Sequence, residues 1–96
     1  MKVRLSASAN LDFEKVARHY KSHAPAQALR LAKEMRSVLK RLGEYPESSQ
    51  ATDLPKIRRA VLRHFPFVVF YTVRPNEISV VHIRHTSRAP WDEDEN

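Results

Sequence analysis

The residues best equipped for chemistry crowd into the second half of the chain. Arg58, Arg59, Arg63 and His64 run directly into the apolar stretch Phe67–Val73, and His82, Arg84, His85, Arg88 and Trp91 come near the end. Guanidinium groups in such density bind and stabilise phosphate or carboxylate charge. A neighbouring imidazole adds the ability to move a proton, which together with arginines is the equipment for acting on RNA. Metal chemistry fits less well. His82 and His85 stand three apart, on opposite faces of a strand, with no carboxylate beside them. Cysteine is absent, which removes disulfides and thiolate sites. A single glycine excludes a glycine-rich phosphate loop, and no Ser-His-Asp arrangement stands out. No metal or cofactor is therefore expected. His19, His23 and His64 read as surface or satisfied residues.

Charge says what these cations would meet. Lys and Arg number 17 against 11 acids, a net +6. Four of the acids, Asp92–Glu95, sit together at the end, so residues 1–91 carry 17 cations against seven acids, a balance of +10. A surface that basic attracts nucleic acid or an acidic protein. The alternative is that the arginines only solubilise the surface or blunt an edge strand against aggregation.

The elements that position these groups are set by periodicity. Ninety-six residues make one domain with one modest core. "KVRL" (Lys2–Leu5) alternates like a short strand. Ser6, Ser8 and Asn10 are candidate N-caps for a helix over about Ala9–Lys21, whose apolar stripe is Ala9, Phe13, Val16, Ala17 and Tyr20. Asp12 and Glu14 fall in the first turn on that reading, where the helix dipole favours anions. Pro25 opens a second helix running to about Leu42, with Ala28, Ala32, Met35, Leu39 and Leu42 in line and Leu31 and Val38 widening the stripe. Gly43 stands where a helix end takes a left-handed residue, and Pro46 blocks continuation. Tyr45 is placed to cover that exit.

"EYPESSQATDLP" reads as a polar loop. Three strands come after it: Ile57–Arg63, Phe67–Val73 and Ile78–Arg84, the last with Ile78 and Val80 on one side and Val81 and Ile83 on the other. Short turns between them imply antiparallel neighbours. The architecture is α+β: an N-terminal strand and a two-helix antiparallel hairpin packed on one face of a twisted, mainly antiparallel sheet, in the order β-α-α-β-β-β. Residues 1–91 form the domain and 92–96 an acidic tail that begins after the aromatic anchor Trp91. If Ala60 and Leu62 face the helices, strand alternation turns Arg59 and Arg63 away from them. His82 and Arg84 share a face on the last strand. The uncovered sheet face and its rim would then collect Arg59, Arg63, His82, Arg84 and Arg88. No apolar run is long enough for a membrane helix and no signal-peptide apolar region precedes the domain, so a cytoplasmic protein is expected.

Several stretches taken in order carry a family likeness. They are "A-x-x-D" at Ala9–Asp12, Tyr20, "P-x-x-A" at Pro25–Ala28, "L-x-x-x-P" at Leu42–Pro46, "I-R-R" at Ile57–Arg59, "F-P-F-V-V-F-Y" at Phe65–Tyr71 and "H-x-x-R-x-P" at His85–Pro90. Together they resemble the RelE/ParE superfamily of bacterial toxins from type II toxin–antitoxin pairs. The resemblance implies the same small fold and a cognate antitoxin that wraps an extended, often acidic segment around the toxin. It leaves two activities open. The RelE-like branch cleaves mRNA on the ribosome, without a metal, through Lys and Arg residues and usually a late tyrosine. The ParE-like branch poisons DNA gyrase by binding it. Where the ribonucleases carry an arginine entering the central strand, this chain has Val68, and Val61 interrupts the pair Arg59 and Arg63. No tyrosine comes after Arg88. These departures favour the ParE-like branch, with Arg84, His85, Arg88 and Trp91 as target contacts. The alternative is a ribosome-dependent endoribonuclease using Arg59, Arg63, His85 and Arg88. A third reading is an inactive relative that only binds antitoxin.

Overall fold

The computed structural model describes residues 1–47, 50–52, 54 and 56–87. The chain runs β1 (Lys2–Leu5), α1 (Ala7–His23), α2 (Pro25–Glu44), β2 (Gln50–Ala51), β3 (Arg58–Val61), β4 (Phe67–Val73) and β5 (Glu77–His85). The strands form a single sheet in the order β1-β5-β4-β3-β2, antiparallel except for the parallel β1–β5 pair. The architecture read from the sequence is the one observed. The two-residue β2 is an addition, found within the stretch expected to be loop.

Ser6 starts α1. Its Oγ accepts the N–H of Ala9 and donates to the carbonyl of Val81 on β5, each at 3.0 Å. The helix therefore begins two residues earlier than its apolar stripe indicated, and Asp12 lies beyond its first turn. Ala24 alone separates the helices, and Pro25 occupies the start of α2, where its missing N–H is no loss. Leu31, Met35, Val38 and Leu42 form the buried side of α2. Ala9, at 0 % exposure, lets α1 approach closely. From the sheet, Ala60, Val69, Tyr71, Ile78, Val80 and Ile83 complete the core.

Two expectations about the α2 exit change. Gly43 is helical, and no described glycine has positive φ. It is needed for space: a Cβ there would lie 2.7 Å from the Met1 carbonyl oxygen and 3.3 Å from Val3 Cγ2. The exit is covered by Tyr71, whose hydroxyl donates to the Pro46 carbonyl at 2.9 Å, while Tyr45 is exposed.

The last strand departs from simple alternation. Phe70 opposes His82 and Tyr71 opposes Val80, so Val81 is an extra residue, a β-bulge. Ile78, Val80 and Ile83 all face the helices as a result, where unbroken alternation would have put Ile83 on the other side.

Substituting Gly43 by Ala is expected to leave stability at or below wild type, rather than to give the gain of about 1 kcal/mol usual for Gly→Ala inside a helix. Urea unfolding measures this; a clear rise in midpoint would contradict the close approach of Met1.

A split cationic surface as the candidate functional site

Register fixes which side chains share the face that the helices leave uncovered. Val69 and Tyr71 point to the helices, so Val68 and Phe70 point away. Across the strands, Arg59, Phe70 and His82 form one row, and Val61, Val68 and Arg84 the next. The bulge at Val81 makes this possible. Without it, His82 and Arg84 would share the helix-facing side of Ile78 and Val80. Two arginines thus flank an apolar centre, with β3 and β5 two strand spacings, roughly 10 Å, apart.

His82 is held in place. β1 ends opposite Val80, which leaves the edge of β5 open beyond it. Asp12, reaching down from α1, fills the gap: its Oδ2 accepts the N–H of Ile83 at 2.9 Å and lies 3.1 Å from Nδ1 of His82. An ionised carboxylate only accepts, so Nδ1 carries the proton. The ring is oriented and 17 % exposed.

Arg63 parts company with this set. β3 ends at Val61, and the chain bends through residues 62–66, so strand parity no longer governs it. Together with Arg30, Lys33, Arg41 and His64 it lines a groove of about 720 Å³ along α2. Glu34 anchors the groove wall. Its Oε2 accepts the backbone N–H groups of Arg63 and His64, and its Oε1 lies 2.9 Å from Nδ1 of His64. Burial pushes the Glu34 carboxyl up, but the His64 ring and the two N–H donors outweigh it and hold it below the ordinary carboxylate range.

His85 also stands apart from Arg84. It turns to the helix side, edge-on to Phe67 at 5.4 Å between centroids, and its Nδ1 accepts from the N–H of Ser87. Arg88 and Trp91 lie outside the described residues. The expected basic face is therefore represented by Arg59, His82 and Arg84, while Arg63 belongs to a second cationic surface. Sequence reasoning missed Asp12 as an edge cap and Glu34 as a loop anchor. Glu34 carried a signal: before the terminal Glu44 it is the one acid in α2, a helix otherwise lined with Arg30, Lys33, Arg36, Lys40 and Arg41. Among the described residues, no group of three His, Cys, Asp or Glu could hold a metal ion. No helix among them is long and apolar enough to cross a membrane.

Comparison with known proteins places this geometry. Residues 3–90 match the family model described as the ParE toxin of the type II toxin–antitoxin system parDE. The chain belongs to the ParE toxin family. Among solved structures it is similar to a chain of the chromosomal ParDE toxin–antitoxin system from P. aeruginosa. That match has a TM-score of 0.76 and 22% identity, and covers 88% of this chain and 95% of that one. It is also similar to the conserved hypothetical protein HP0894 from Helicobacter pylori, with a TM-score of 0.55 and 15% identity, covering 92% and 97%. Both likenesses concern the fold. No curated protein matches the chain.

The ParE-family chain should depend on Glu34 in a pH-sensitive way. At pH 7, Glu34→Ala is expected to lower stability by roughly 1–2 kcal/mol, through the loss of charge-assisted bonds to two backbone donors that water can partly re-solvate. The depressed carboxyl means this stability is present above the unfolded value of about 4.3 and is lost as pH falls through the folded value. The gap between the urea midpoints of wild type and variant should narrow as pH falls below that unfolded value. A constant gap from pH 7 to 3 would contradict the ionic origin.

Proposed function

We propose that this chain is a gyrase-directed toxin, neutralised by a cognate antitoxin and acting by protein binding rather than by cleaving RNA. The observation that carries the reading is the ParE family match, which spans residues 3–90. The uncovered face supports it. Its centre is Val61, Val68 and Phe70, apolar where a nuclease stabilising phosphorane charge needs donors. Val68 and Phe70 are buried and Val61 is exposed, so the surface this face offers a protein partner is Val61 with Arg59 and Arg84 near it, and arginine is a favoured interface anchor. Arg59 and Arg84 are the contacts we assign to the target, together with Arg88 and Trp91, which lie outside the described residues. The groove beside α2, with Arg30, Lys33, Arg41 and Arg63, suits the acidic segment of an antitoxin.

A second reading, ribosome-dependent mRNA cleavage, draws on one observation. The Asp12–His82 contact orients an imidazole beside Arg84 on β5, two strands from Arg59, an arrangement capable of proton transfer. The same carboxylate has a structural duty, closing the edge of β5 at Ile83, which accounts for its position without any chemistry on RNA.

Purified toxin is expected to inhibit gyrase supercoiling, with activity restored by the antitoxin, and to leave translated mRNA intact in primer extension. The double variant Arg59→Glu/Arg84→Glu should inhibit at least tenfold more weakly, as removal of two interface arginines of ~1 kcal/mol or more each implies. Unimpaired gyrase at large molar excess of folded toxin would reject the target. New 5′ ends on ribosome-bound mRNA would establish the second reading.

A further inference from the structure

Two histidines with no part in the surfaces described above stand on one side of α1. His19 and His23 are four residues apart, the spacing at which helix side chains meet. Both are exposed, and their ring centroids lie 4.4 Å apart with planes 23° from parallel. Two imidazoles at this spacing on a helix can share one metal ion.

The His23 ring is already set as a ligand. Its Nδ1 lies 2.9 Å from the carbonyl oxygen of His19. A carbonyl oxygen only accepts, so Nδ1 carries the proton and Nε2 keeps its lone pair. A hydrogen bond from the far ring nitrogen to a backbone carbonyl is the contact that fixes the tautomer of metal-bound histidines and raises their basicity.

The spacing also selects the ion. With metal–nitrogen bonds of about 2.0–2.1 Å, two imidazoles have ring centres about 4.5 Å apart when they meet the metal at right angles, and about 5.2 Å apart at the tetrahedral angle. The observed 4.4 Å fits the right angle. Turning a ring about its Cβ–Cγ bond moves its nitrogens but hardly its centre, so the exposed His19 ring can aim a nitrogen at the shared point at this distance. Right angles belong to the tetragonal nitrogen and oxygen sites of Cu²⁺ and Ni²⁺ rather than to tetrahedral Zn²⁺. The last turn of α1 ends at His23, where the negative end of the helix dipole favours a cation. Lys21, in the same turn, is two positions from each histidine and does not face them.

We propose that His19 and His23 chelate a divalent transition metal of tetragonal preference, Cu²⁺ ahead of Ni²⁺ and Zn²⁺, with water in the remaining positions. Two protein ligands make this an exchangeable site, unlike a closed structural one. The site is separate from the gyrase assignment, and neither stands or falls with the other.

Full-length protein titrated calorimetrically with Cu²⁺, Ni²⁺ and Zn²⁺ in turn, against glycine as a weak competing chelator, measures the site. The expected result is one Cu²⁺ per chain, bound at least roughly tenfold more tightly than Zn²⁺. Its electron paramagnetic resonance spectrum should be axial and split by two nitrogens. His19→Gln and His23→Gln should each weaken Cu²⁺ binding at least roughly tenfold, because a chelate needs both rings. Both side chains are exposed, so the variants should keep the wild-type circular dichroism. Absence of saturable Cu²⁺ binding would overturn the proposal, as would affinity unchanged in either variant. Zn²⁺ bound as tightly as Cu²⁺ would overturn the tetragonal assignment. Binding lost in His64→Gln but kept in His19→Gln would place the metal at the bend after β3 and contradict the α1 site.

Discussion

The structure depends on how the edge of β5 is closed. β5 is nine residues long and its neighbour β1 only four, so β1 pairs no further than Val80. Exposed strand edges invite pairing with other chains and leave backbone groups unsatisfied. Here the edge is finished by side chains at the point where the chain turns into α1. Ser6 caps the helix and donates to the carbonyl of Val81; Asp12 accepts the N–H of Ile83. The bulge at Val81 sits between these two contacts. One short segment, Ser6 to Asp12, therefore starts a helix, docks it on the sheet and resets the alternation of the last strand.

The bulge separates the core from the cationic face. It lets Ile78, Val80 and Ile83 all enter the core, and it turns His82 and Arg84 to the side shared with Arg59. A strand with strict alternation would force a choice between burying Ile83 and burying the cations, and burying unpaired guanidinium groups is strongly unfavourable. The same economy operates at the other end of β3, where Glu34 uses two backbone donors to bend the chain and so leaves Arg63 beside α2. Six of the arginines and lysines of this ParE-family chain are thereby divided between a sheet face with an apolar centre and a groove along a helix.

Much of this was legible in the residues and some was not. The hairpin of helices and the inward position of Ala60 come from periodicity, because those segments have one apolar side. The turn to α2 was readable at Pro25 for a local reason. Gly43 was misassigned because a glycine near a helix end usually serves a left-handed conformation, and nothing local reveals that Met1, at the far end of the preceding sequence, crowds it. The bulge was hidden because "ISVVHIR" holds apolar residues at both parities, so the run allows either face. Asp12 looked like a dipole partner because its true partner lies 71 residues on. Arg63 was placed by parity beyond the last residue of the strand that gives parity meaning. In each case the determining contact is long-range.

The most direct test is the register of β4 and β5 in solution, read from cross-strand nuclear Overhauser contacts in labelled protein. The expected pattern has Phe70 opposite His82 and Tyr71 opposite Val80, with Val81 unpaired between them. Continuous pairing, with Phe70 opposite Val81, would return Arg84 to the helix side and contradict the assignment of the cationic face.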